Sequence, residues 1–261
     1  PEARVSARRV VVCYDISKGR VVKGTRFVDL ADQGDPAALV AGPASAGADE
    51  LVFLDIDGDP GGRAAFLAAV RRAAGAVSVP VTIGGGVRSL EDIEEALAAG
   101  AAKVAVNSAI VDDPELLSAA AREFGSERLV ASIDARRGAD GLTYEVCVAG
   151  GRRPTGREAT AWARECAARG AGEVLLTSID RDGRRDGFDL ELTDSVARAV
   201  TVPVTASGGA GSPEHFVELF TRTRTAAGLA AGIFHDGTTT ATAVKAALTR
   251  AGIRTPEESA A

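Results

Sequence analysis

Two copies of one motif divide the chain: V-P-V-T-I-G-G-G at Val79–Gly86 and V-P-V-T-A-S-G-G-A-G at Val202–Gly211. Each copy is typical of a short buried strand that ends in a glycine turn and leads into a helix. Further matching segments flank both copies. They are L-V-F-L-D (Leu51–Asp55), V-A-V-N-S (Val104–Ser108), L-L-T-S-I-D (Leu175–Asp180) and A-A-G-L-A-A-G (Ala226–Gly232). The repeat therefore predicts a fold of two similar halves.

Short apolar, β-branched runs alternate with longer stretches of helical period along the whole chain, which is the pattern of successive βα units. The predicted strands are Arg9–Tyr14, Glu50–Asp55, Val79–Ile83, Ala102–Val106, Arg128–Ile133, Glu173–Ser178, Val202–Ala206 and Ala226–Ala231. Eight such units indicate an α/β fold, a (β/α)8 TIM barrel built from two duplicated half-barrels. We expect a single barrel domain over residues 1–261, with half-barrels at about 8–125 and 126–252.

Two segments interrupt this rhythm. Val21–Gln33 is a long, polar connection after the first strand, and Thr143–Val148 alternates as a small inserted hairpin would. Loops that follow barrel strands lie on the catalytic face, so both segments are candidate lids, with surface decoration as the alternative. Helix starts are marked more clearly. Proline follows a capping residue at Asp35, Asp113 and Ser212, and Ser89–Asp92 has the form of a capping box.

Composition narrows the class of protein. The net charge of −6 argues against general nucleic-acid binding, which usually needs a basic surface. No apolar run reaches the roughly 18 residues of a membrane span. Cys13, Cys147 and Cys166 form neither a CxxC pair nor a metal-ligand spacing, so we expect no metal site and a reducing, cytoplasmic location. Nothing in the sequence calls for a cofactor.

Asp15 and Asp134 follow the apolar cores of the first and fifth strands, at matching positions of the two halves. The carboxyl ends of barrel strands are where active sites are built. Two carboxylates that face each other there can divide the roles of acid and base if their environments separate their pKa values. The alternative is that each carboxylate caps the next loop.

The glycine turns at Gly84–Gly86 and Gly208–Gly209 are candidate phosphate sites, because glycine lets the backbone approach an anion. Asn107-Ser108 follows the next strand in the first half, and Ala231-Gly232 in the second. A site split between loops after adjacent strands is the usual phosphate site of a barrel. Two such sites indicate an elongated ligand with a phosphate at each end. The alternative is ordinary turn chemistry.

Two further residues are candidate substrate contacts. Lys23 on the first long connection could pair with an anionic substrate, or could be a solvated lysine. Asp182, which precedes Gly183, could bind a substrate hydroxyl, although an Asp-Gly pair is also explained by a turn.

In its motifs the chain resembles the HisF family, the cyclase subunits of imidazole glycerol phosphate synthase. The resemblance runs in order over about residues 8–252. It is carried by V-C-Y-D, G-R-V-V-K-G, G-D-P, D-E-L-V-F-L-D-I, G-G-G-V-R, K-V-A-V-N-S, S-I-D-A-R, G-A-G-E-V-L-L-T-S-I-D-R-D-G, D-G-F-D, A-S-G-G-A-G and I-F-H.

The resemblance implies a lyase of histidine biosynthesis, with ammonia from a glutamine amidotransferase subunit in a heterodimer. Its substrate is phosphoribulosyl-formimino-aminoimidazole-carboxamide ribotide, which carries two phosphates. Its products are imidazole glycerol phosphate and aminoimidazole carboxamide ribotide. Asp15 and Asp134 would be the general acid and base, and Lys23 would lie on a mobile loop.

The remaining implied residues fall into two sets. The expected substrate contacts are Asp55, Gly86, Asn107, Ser108, Thr177, Asp182, Gly183, Ser207, Gly209 and Gly232. The second set is a charged ring through which ammonia enters at the opposite end of the barrel, namely Arg9, Glu50, Lys103 and Glu173. Two cations and two anions in such a ring compensate one another, as buried charges require.

Several positions depart from the family pattern. Asp57–Gly62 replaces a short polar turn, Arg184 stands where a threonine is expected, and Gly232 stands where serine is typical. Asp236 follows His235 in place of phenylalanine, and Ala102 replaces an acidic residue expected near the glutaminase contact. The loss at Ala102 raises the hypothesis that the partner contact is weakened.

These departures leave three alternatives beside the cyclase. The chain could be a paralogous cyclase that acts on a related phosphorylated substrate in a specialised pathway. It could be the sister aldose–ketose isomerase, although the V-V-K-G loop and the charged ring fit the cyclase better. It could also be a non-catalytic scaffold that activates a glutaminase.

Overall fold

All strands of the chain join one sheet that closes on itself in the computed structural model, which describes residues 7–25, 28–42, 45–58 and 61–256. For residues 23–25 and 28–31 it describes the backbone alone. The strands are β1 (Arg9–Ser17), β2 (Arg20–Thr25), β3 (Val28–Gly34), β4 (Glu50–Asp55), β5 (Val81–Gly84), β6 (Lys103–Val106), β7 (Leu129–Arg137), β8 (Tyr144–Val148), β9 (Arg153–Glu158), β10 (Glu173–Ser178), β11 (Val204–Ser207) and β12 (Ala227–Ala230).

Eight of these strands are parallel and form the barrel, in the order β1, β4, β5, β6, β7, β10, β11, β12, with β12 paired back to β1. Their registers place β1 and β7 on opposite walls. The predicted eight-stranded (β/α)8 barrel is therefore confirmed.

Both strands that carry the predicted catalytic aspartates are longer than expected. The sequence pattern placed Asp15 and Asp134 at strand ends, but β1 continues to Ser17 and β7 to Arg137. The reason is antiparallel pairing beyond the barrel rim: β2 and β3 extend the sheet from β1, and β8 and β9 extend it from β7. The described residues of the long connection at Val21–Gln33 are thus largely strand. The sequence pattern did not reveal these strands, because polar residues obscure the alternation of apolar and polar positions.

Helices follow the barrel strands and cover the outside. They are α1 (Pro36–Val40), α2 (Arg63–Ala74), α3 (Leu90–Ala98), α4 (Ser108–Asp112), α5 (Glu115–Phe124), α6 (Ala159–Ala168), α7 (Leu190–Ala199), α8 (Pro213–Arg222), α9 (Gly232–His235) and α10 (Ala241–Arg250), with a 3-10 turn at Ser126–Arg128. Asp35 caps α1 through the amide of Ala37, and Ser89 and Asp92 form the predicted capping box of α3. Within the described residues, no helix is long and apolar enough to cross a membrane.

The barrel strands are buried on both faces, which explains their continuous apolar runs. The outward faces pack under the helices around Tyr14, Phe53 and Trp162. The barrel interior holds a separate cluster of smaller side chains: Val11, Cys13, Val52, Ala105, Val130, Leu175, Ala227 and Leu229. This packed interior separates a polar layer at the strand starts from a polar mouth at the strand ends.

Candidate functional site

The mouth of the barrel brings two aspartates to equivalent places on opposite walls. Asp15 lies in β1 opposite Leu54 of β4, and Asp134 lies in β7 opposite Thr177 of β10. Both side chains are partly buried. The two carboxylates therefore both lie toward the carboxyl ends of the barrel strands, and their catalytic role stays a prediction.

Burial raises the pKa of Asp15 to about 6, and the negative charge of Asp182 adds to this shift. Burial also raises the pKa of Asp134 to about 6. There, donors on Asn107 and Thr177 favour the carboxylate and oppose the shift, whereas the Asp182 charge adds to it. Asp182 is thus a third carboxylate that faces both aspartates, and each aspartate can hold or release a proton close to neutral pH.

The first glycine turn follows β5 and approaches β4 closely. Gly85 has φ +85°, and a Cβ atom there would lie 2.1 Å from the carbonyl oxygen of Asp55. The next residue, Gly86, has φ +65°. A Cβ atom there would make ordinary van der Waals contacts, one of them with the Asp55 carboxylate at 3.6 Å. Gly85 therefore lets the chain turn, and Gly86 leaves backbone exposed to a ligand.

Asp55, at the end of β4, shapes the same turn from below. It is 8% exposed and accepts hydrogen bonds from the amides of Asp57 at 3.1 Å and Gly58 at 3.2 Å. Burial raises its pKa, and these two amides oppose the rise. The structure therefore places Asp55 beside Gly86 as a turn-forming carboxylate at the edge of the site.

Asn107, the residue before α4, contacts one of the two aspartates. Its Nδ2 donates to Asp134 at 2.9 Å, while its Oδ1 is buried and has no hydrogen-bond partner among the described residues. A buried polar atom without a partner costs roughly 1–3 kcal/mol. Asn107 is thus poised to accept a hydrogen bond from a ligand in the mouth.

Ser108, the first residue of α4, connects this region to the second half. Its hydroxyl accepts a hydrogen bond from the amide of Ala149 at 3.2 Å, in the turn between β8 and β9. Ala149 has φ +56°, a conformation that costs energy for a residue other than glycine. The inserted hairpin is therefore attached to the first candidate phosphate site.

Arg63 is a cation at this site that the sequence analysis missed. Its Nη1 is buried, has no hydrogen-bond partner within the part of the chain that the structure describes, and lies 3.9 Å from the position of a Cβ atom on Gly86. The rest of the guanidinium is held by the Asp92 and Glu95 carboxylates, each at 3.2 Å, and by the Asp92 carbonyl. The signal was weak because Arg63 begins α2 after an irregular turn, and only the fold brings it to Gly86.

The second glycine turn repeats this arrangement after β11. Gly208 has φ +92° and packs on the carbonyl of Ser178, the last residue of β10, as Gly85 packs on Asp55. Gly209 has φ +99°, and its Cβ position lies 2.1 Å from the carbonyl oxygen of Gly187. Ser207 ends β11 beside Thr177. In each half, the glycine turn thus packs on the end of the strand that precedes it in the barrel, β4 for the first turn and β10 for the second.

The loop after β10 closes over this second turn. The amide of Asp182 donates to the Ser178 carbonyl at 3.0 Å, and Gly183 follows with φ +73°. Further along, the Gly187 amide donates to the Gly209 carbonyl at 2.9 Å. The predicted contacts Asp182, Gly183, Ser207 and Gly209 therefore lie in two adjoining segments, the loop after β10 and the turn after β11, and Gly232 begins α9 after the next strand, β12.

Two departures from the family pattern have local structural roles instead of facing the mouth. Asp57 accepts hydrogen bonds from Ser17 at 2.9 Å and from the Lys18 amide at 2.8 Å, so it holds the β1–β2 turn. Arg184 pairs with Asp186 at 3.2 Å, on an exposed part of the loop. Asp59 lies outside the described residues. Lys23 lies in β2, and its side chain is also outside the described part.

The charged residues at the strand starts form a closed ring. Arg9 contacts Glu50 at 2.5 Å and Glu173 at 2.7 Å, and Lys103 contacts the same two carboxylates at 2.8 and 2.6 Å. Each carboxylate also accepts a hydrogen bond from a threonine hydroxyl. Thr82 donates to Glu50 at 2.6 Å and Thr205 donates to Glu173 at 2.5 Å. Each carboxylate thus has two cations and one hydroxyl.

A small cavity of about 10 Å³ lies just inside this ring. It is lined by Val11, Glu50, Val52, Thr82, Val130, Glu173, Leu175 and Thr205. Its volume is close to the minimum that one water molecule needs. The barrel side of the ring therefore holds a space at the lower limit for one water molecule. Ala102 is exposed next to the ring, at the start of β6.

Substitution of Gly85 by alanine is expected to lower the free energy of unfolding by at least about 2 kcal/mol, because the new Cβ meets the Asp55 backbone at an unfavourable φ. Gly141→Ala is the matched control, since its φ is +68° and nothing lies within 4 Å. That change should cost only about 1 kcal/mol of backbone strain. Urea unfolding measures both values, and equal losses would contradict the close packing at Gly85.

Comparison with known proteins identifies the relatives of this chain. The sequence profile of the histidine biosynthesis protein family matches residues 9–240. The imidazole glycerol phosphate synthase subunit HisF of Acidobacterium capsulatum is 52% identical over 92% of this chain and 94% of its own length. The subunits of the same name from Myxococcus xanthus and Metallosphaera sedula are 54% and 49% identical, over 94% and 95% of this chain and 96% and 98% of their own lengths.

Proposed function

The chain belongs to the histidine biosynthesis protein family, as a HisF-type enzyme, and from this we propose that it is the cyclase subunit of an imidazole glycerol phosphate synthase. Its substrate would be phosphoribulosyl-formimino-aminoimidazole-carboxamide ribotide, which reacts with ammonia. The products would be imidazole glycerol phosphate and aminoimidazole carboxamide ribotide. The observation that carries this proposal is the pair of partly buried aspartates on opposite walls, both with a pKa raised to about 6.

We propose that Asp15 and Asp134 act as the general acid and base. The nitrogen that ammonia supplies must lose protons as it becomes part of the imidazole ring, and the departing ribotide must gain one. Groups whose pKa lies near the working pH exchange protons most effectively in both directions. The Asn107 and Thr177 donors favour the ionised form of Asp134 only, which supports a difference in role between the two.

The two glycine turns would bind the two phosphates of the substrate. Gly86, Asn107 and Ser108 would take one end, and the turn around Asp182, Gly183, Ser207, Gly209 and Gly232 the other. Support comes from the positive φ angles, which turn backbone amides toward a ligand, and from the buried Nη1 of Arg63 beside Gly86. Asp55, Thr177 and Lys23 would complete the substrate contacts between the ends.

Ammonia would enter through the ring of Arg9, Glu50, Lys103 and Glu173. The cavity inside the ring supports this route, since ammonia is about the size of water. The donor would be a glutamine amidotransferase subunit bound over the strand starts, as the word subunit in the relatives' names suggests. We also propose a cytoplasmic location, a single domain over residues 1–261 and half-barrels at about 8–125 and 126–252. The free, buried cysteines fit a reducing compartment.

Turnover of this substrate by the isolated chain should depend on ammonium salt and should rise as pH converts ammonium into free ammonia. Release of aminoimidazole carboxamide ribotide is the quantity to measure. Addition of a HisF-compatible glutamine amidotransferase should replace ammonium by glutamine. Turnover of the aminoaldose precursor instead would show an isomerase, and glutaminase activation without cyclisation would show a scaffold.

A further inference from the structure

At Gly232, the space that the side chain of any other residue would enter lies against the guanidinium of Arg185. A Cβ atom built on Gly232 would lie only 3.1 Å from Nη2 of Arg185 and 3.9 Å from its Cζ. The guanidinium therefore occupies the volume next to Gly232 on the wall of the second candidate phosphate site. Sequence analysis singled out Arg184 at this loop, but the structure turns Arg184 toward Asp186 and brings Arg185 to the site.

The backbone of Arg185 is held in place although 43% of its side chain is exposed. Arg185 has φ +60°, a left-handed conformation that a residue other than glycine adopts only under constraint. The constraint is Gly211, whose Cβ position lies 2.1 Å from the Arg185 carbonyl oxygen. The Gly211 amide in turn donates to Nδ1 of His215 at 3.0 Å. The loop is thus packed on the glycine turn, which directs Arg185 toward Gly232.

Asp236, the C-cap of α9, orients the guanidinium through an ion pair with Nη2. Although burial opposes it, hydrogen bonds from Thr238 and Arg185 hold the pKa of Asp236 well below its usual range. The pair is therefore ionised at all working pH values. Arginine has five N–H donors, so the contact with Asp236 leaves Nε and Nη1 as further donors.

We propose that Arg185 binds the phosphate group of the substrate at the second site, in place of the hydroxyl that serine would supply at position 232. The inference rests on the proposed function and adds to it this chain's own phosphate ligand. A planar guanidinium matches phosphate geometry and makes charge-assisted hydrogen bonds stronger than those of a hydroxyl. The changes at positions 232 and 236 are then one coupled exchange, since a side chain at 232 would displace Arg185 and Asp236 holds it.

The test compares Arg185→Ala with Arg184→Ala, which removes a neighbouring arginine whose partner is Asp186. Calorimetric titration with inorganic phosphate measures binding, and turnover with ammonium salt measures KM and kcat. For Arg185→Ala we expect phosphate binding at one site to weaken, and KM to rise, by about tenfold or more, as loss of a charge-assisted contact implies. kcat should change much less, because the acid pair is untouched. Arg184→Ala should match the wild type.

Gly232→Ser supplies the decisive second variant. In the wild-type background the new Cβ would lie only 3.1 Å from Nη2, so the guanidinium must shift away from position 232 and phosphate binding should weaken. In the Arg185→Ala background the serine hydroxyl enters an empty volume and should strengthen binding relative to Arg185→Ala alone. This reversal of sign is a coupling that a merely structural role of Arg185 would not produce.

The outcomes separate the two proposals. Equal phosphate binding by wild type and Arg185→Ala, an equal loss in Arg184→Ala, or no phosphate binding by the wild type would overturn the role of Arg185. A loss confined to Arg185→Ala, in a protein that does not turn over the histidine-pathway substrate, would leave the phosphate ligand standing and overturn the proposed function.

Discussion

Asp15→Asn is expected to abolish most of the turnover and, at the same time, to stabilise the protein. Loss of one acid–base group lowers rates by about 10²–10⁴-fold. The stability gain follows from burial, which raises the pKa of Asp15 from 3.8 to about 6 in the folded state. At neutral pH the ionised carboxylate costs the folded state up to about 3 kcal/mol, and asparagine does not carry this cost.

The pH dependence has a definite sign. A carboxyl whose pKa is raised on folding stabilises the protein fully below its unfolded pKa, and this contribution is lost as pH rises through about 6. Wild type and Asp15→Asn should therefore be equally stable near pH 3 and diverge toward neutrality. Urea unfolding across that range measures the difference.

Two comparisons test the explanation. Asp134→Asn should lose turnover and gain stability to a similar extent, because burial raises the pKa of Asp134 to about 6 as well. Asp112→Asn is the control, since Asp112 is exposed and pairs with Arg153 on the surface. If Asp15→Asn were less stable than the wild type at neutral pH, the inference that the ionised Asp15 carboxylate destabilises the folded state would be wrong.

Glu173→Gln should produce the opposite result at the other end of the barrel, a loss of about 3–5 kcal/mol at neutral pH. Glutamine preserves the shape and a contact with Thr205 but removes the charge that compensates Arg9 and Lys103. Although burial opposes it, these two cations hold the pKa of Glu173 below its usual value. A depressed pKa contributes stability that is present at neutral pH and lost as pH falls through it, so the difference should shrink in acid.

Glu115→Gln is the matched control for the ring. Glu115 also pairs with an arginine, Arg169, but its side chain is 73% exposed, so the change should cost far less stability than Glu173→Gln. In the assembled enzyme, Glu173→Gln should alter glutamine-dependent turnover more than ammonium-dependent turnover if the ring admits ammonia. Equal effects on both activities would argue against that route.

The sequence predicted the barrel because its strands carry apolar runs that bury on both faces, a local signal that needs no knowledge of the partner strand. Glu50–Asp55 and Glu173–Ser178 coincide with β4 and β10 for this reason. The strands that carry Asp15 and Asp134 were underestimated, because their extensions pair with antiparallel strands and are not continuous apolar runs.

The candidate site was predictable where the backbone conformation itself requires a particular residue type, as it requires glycine at the two turns. It was not predictable where distant segments meet. Arg63 reaches Gly86 only through the packing of α2 beside the β5 turn, and Arg185 reaches Gly232 only because Gly211 lets its loop approach. Likewise, Asp57 is an acidic residue near the mouth, but both of its carboxylate oxygens accept hydrogen bonds from the β1–β2 turn.

The contacts of Asn107 and Ser108 have a consequence for how the protein can evolve. Asn107 comes from the first half of the chain and donates to Asp134 of the second, and Ser108 accepts from Ala149 across the same seam. Two side chains of the first half therefore hold a carboxylate and the inserted hairpin of the second half. A change at one end of either contact would need a matching change in the other half to preserve it, so substitutions at these positions are coupled in evolution.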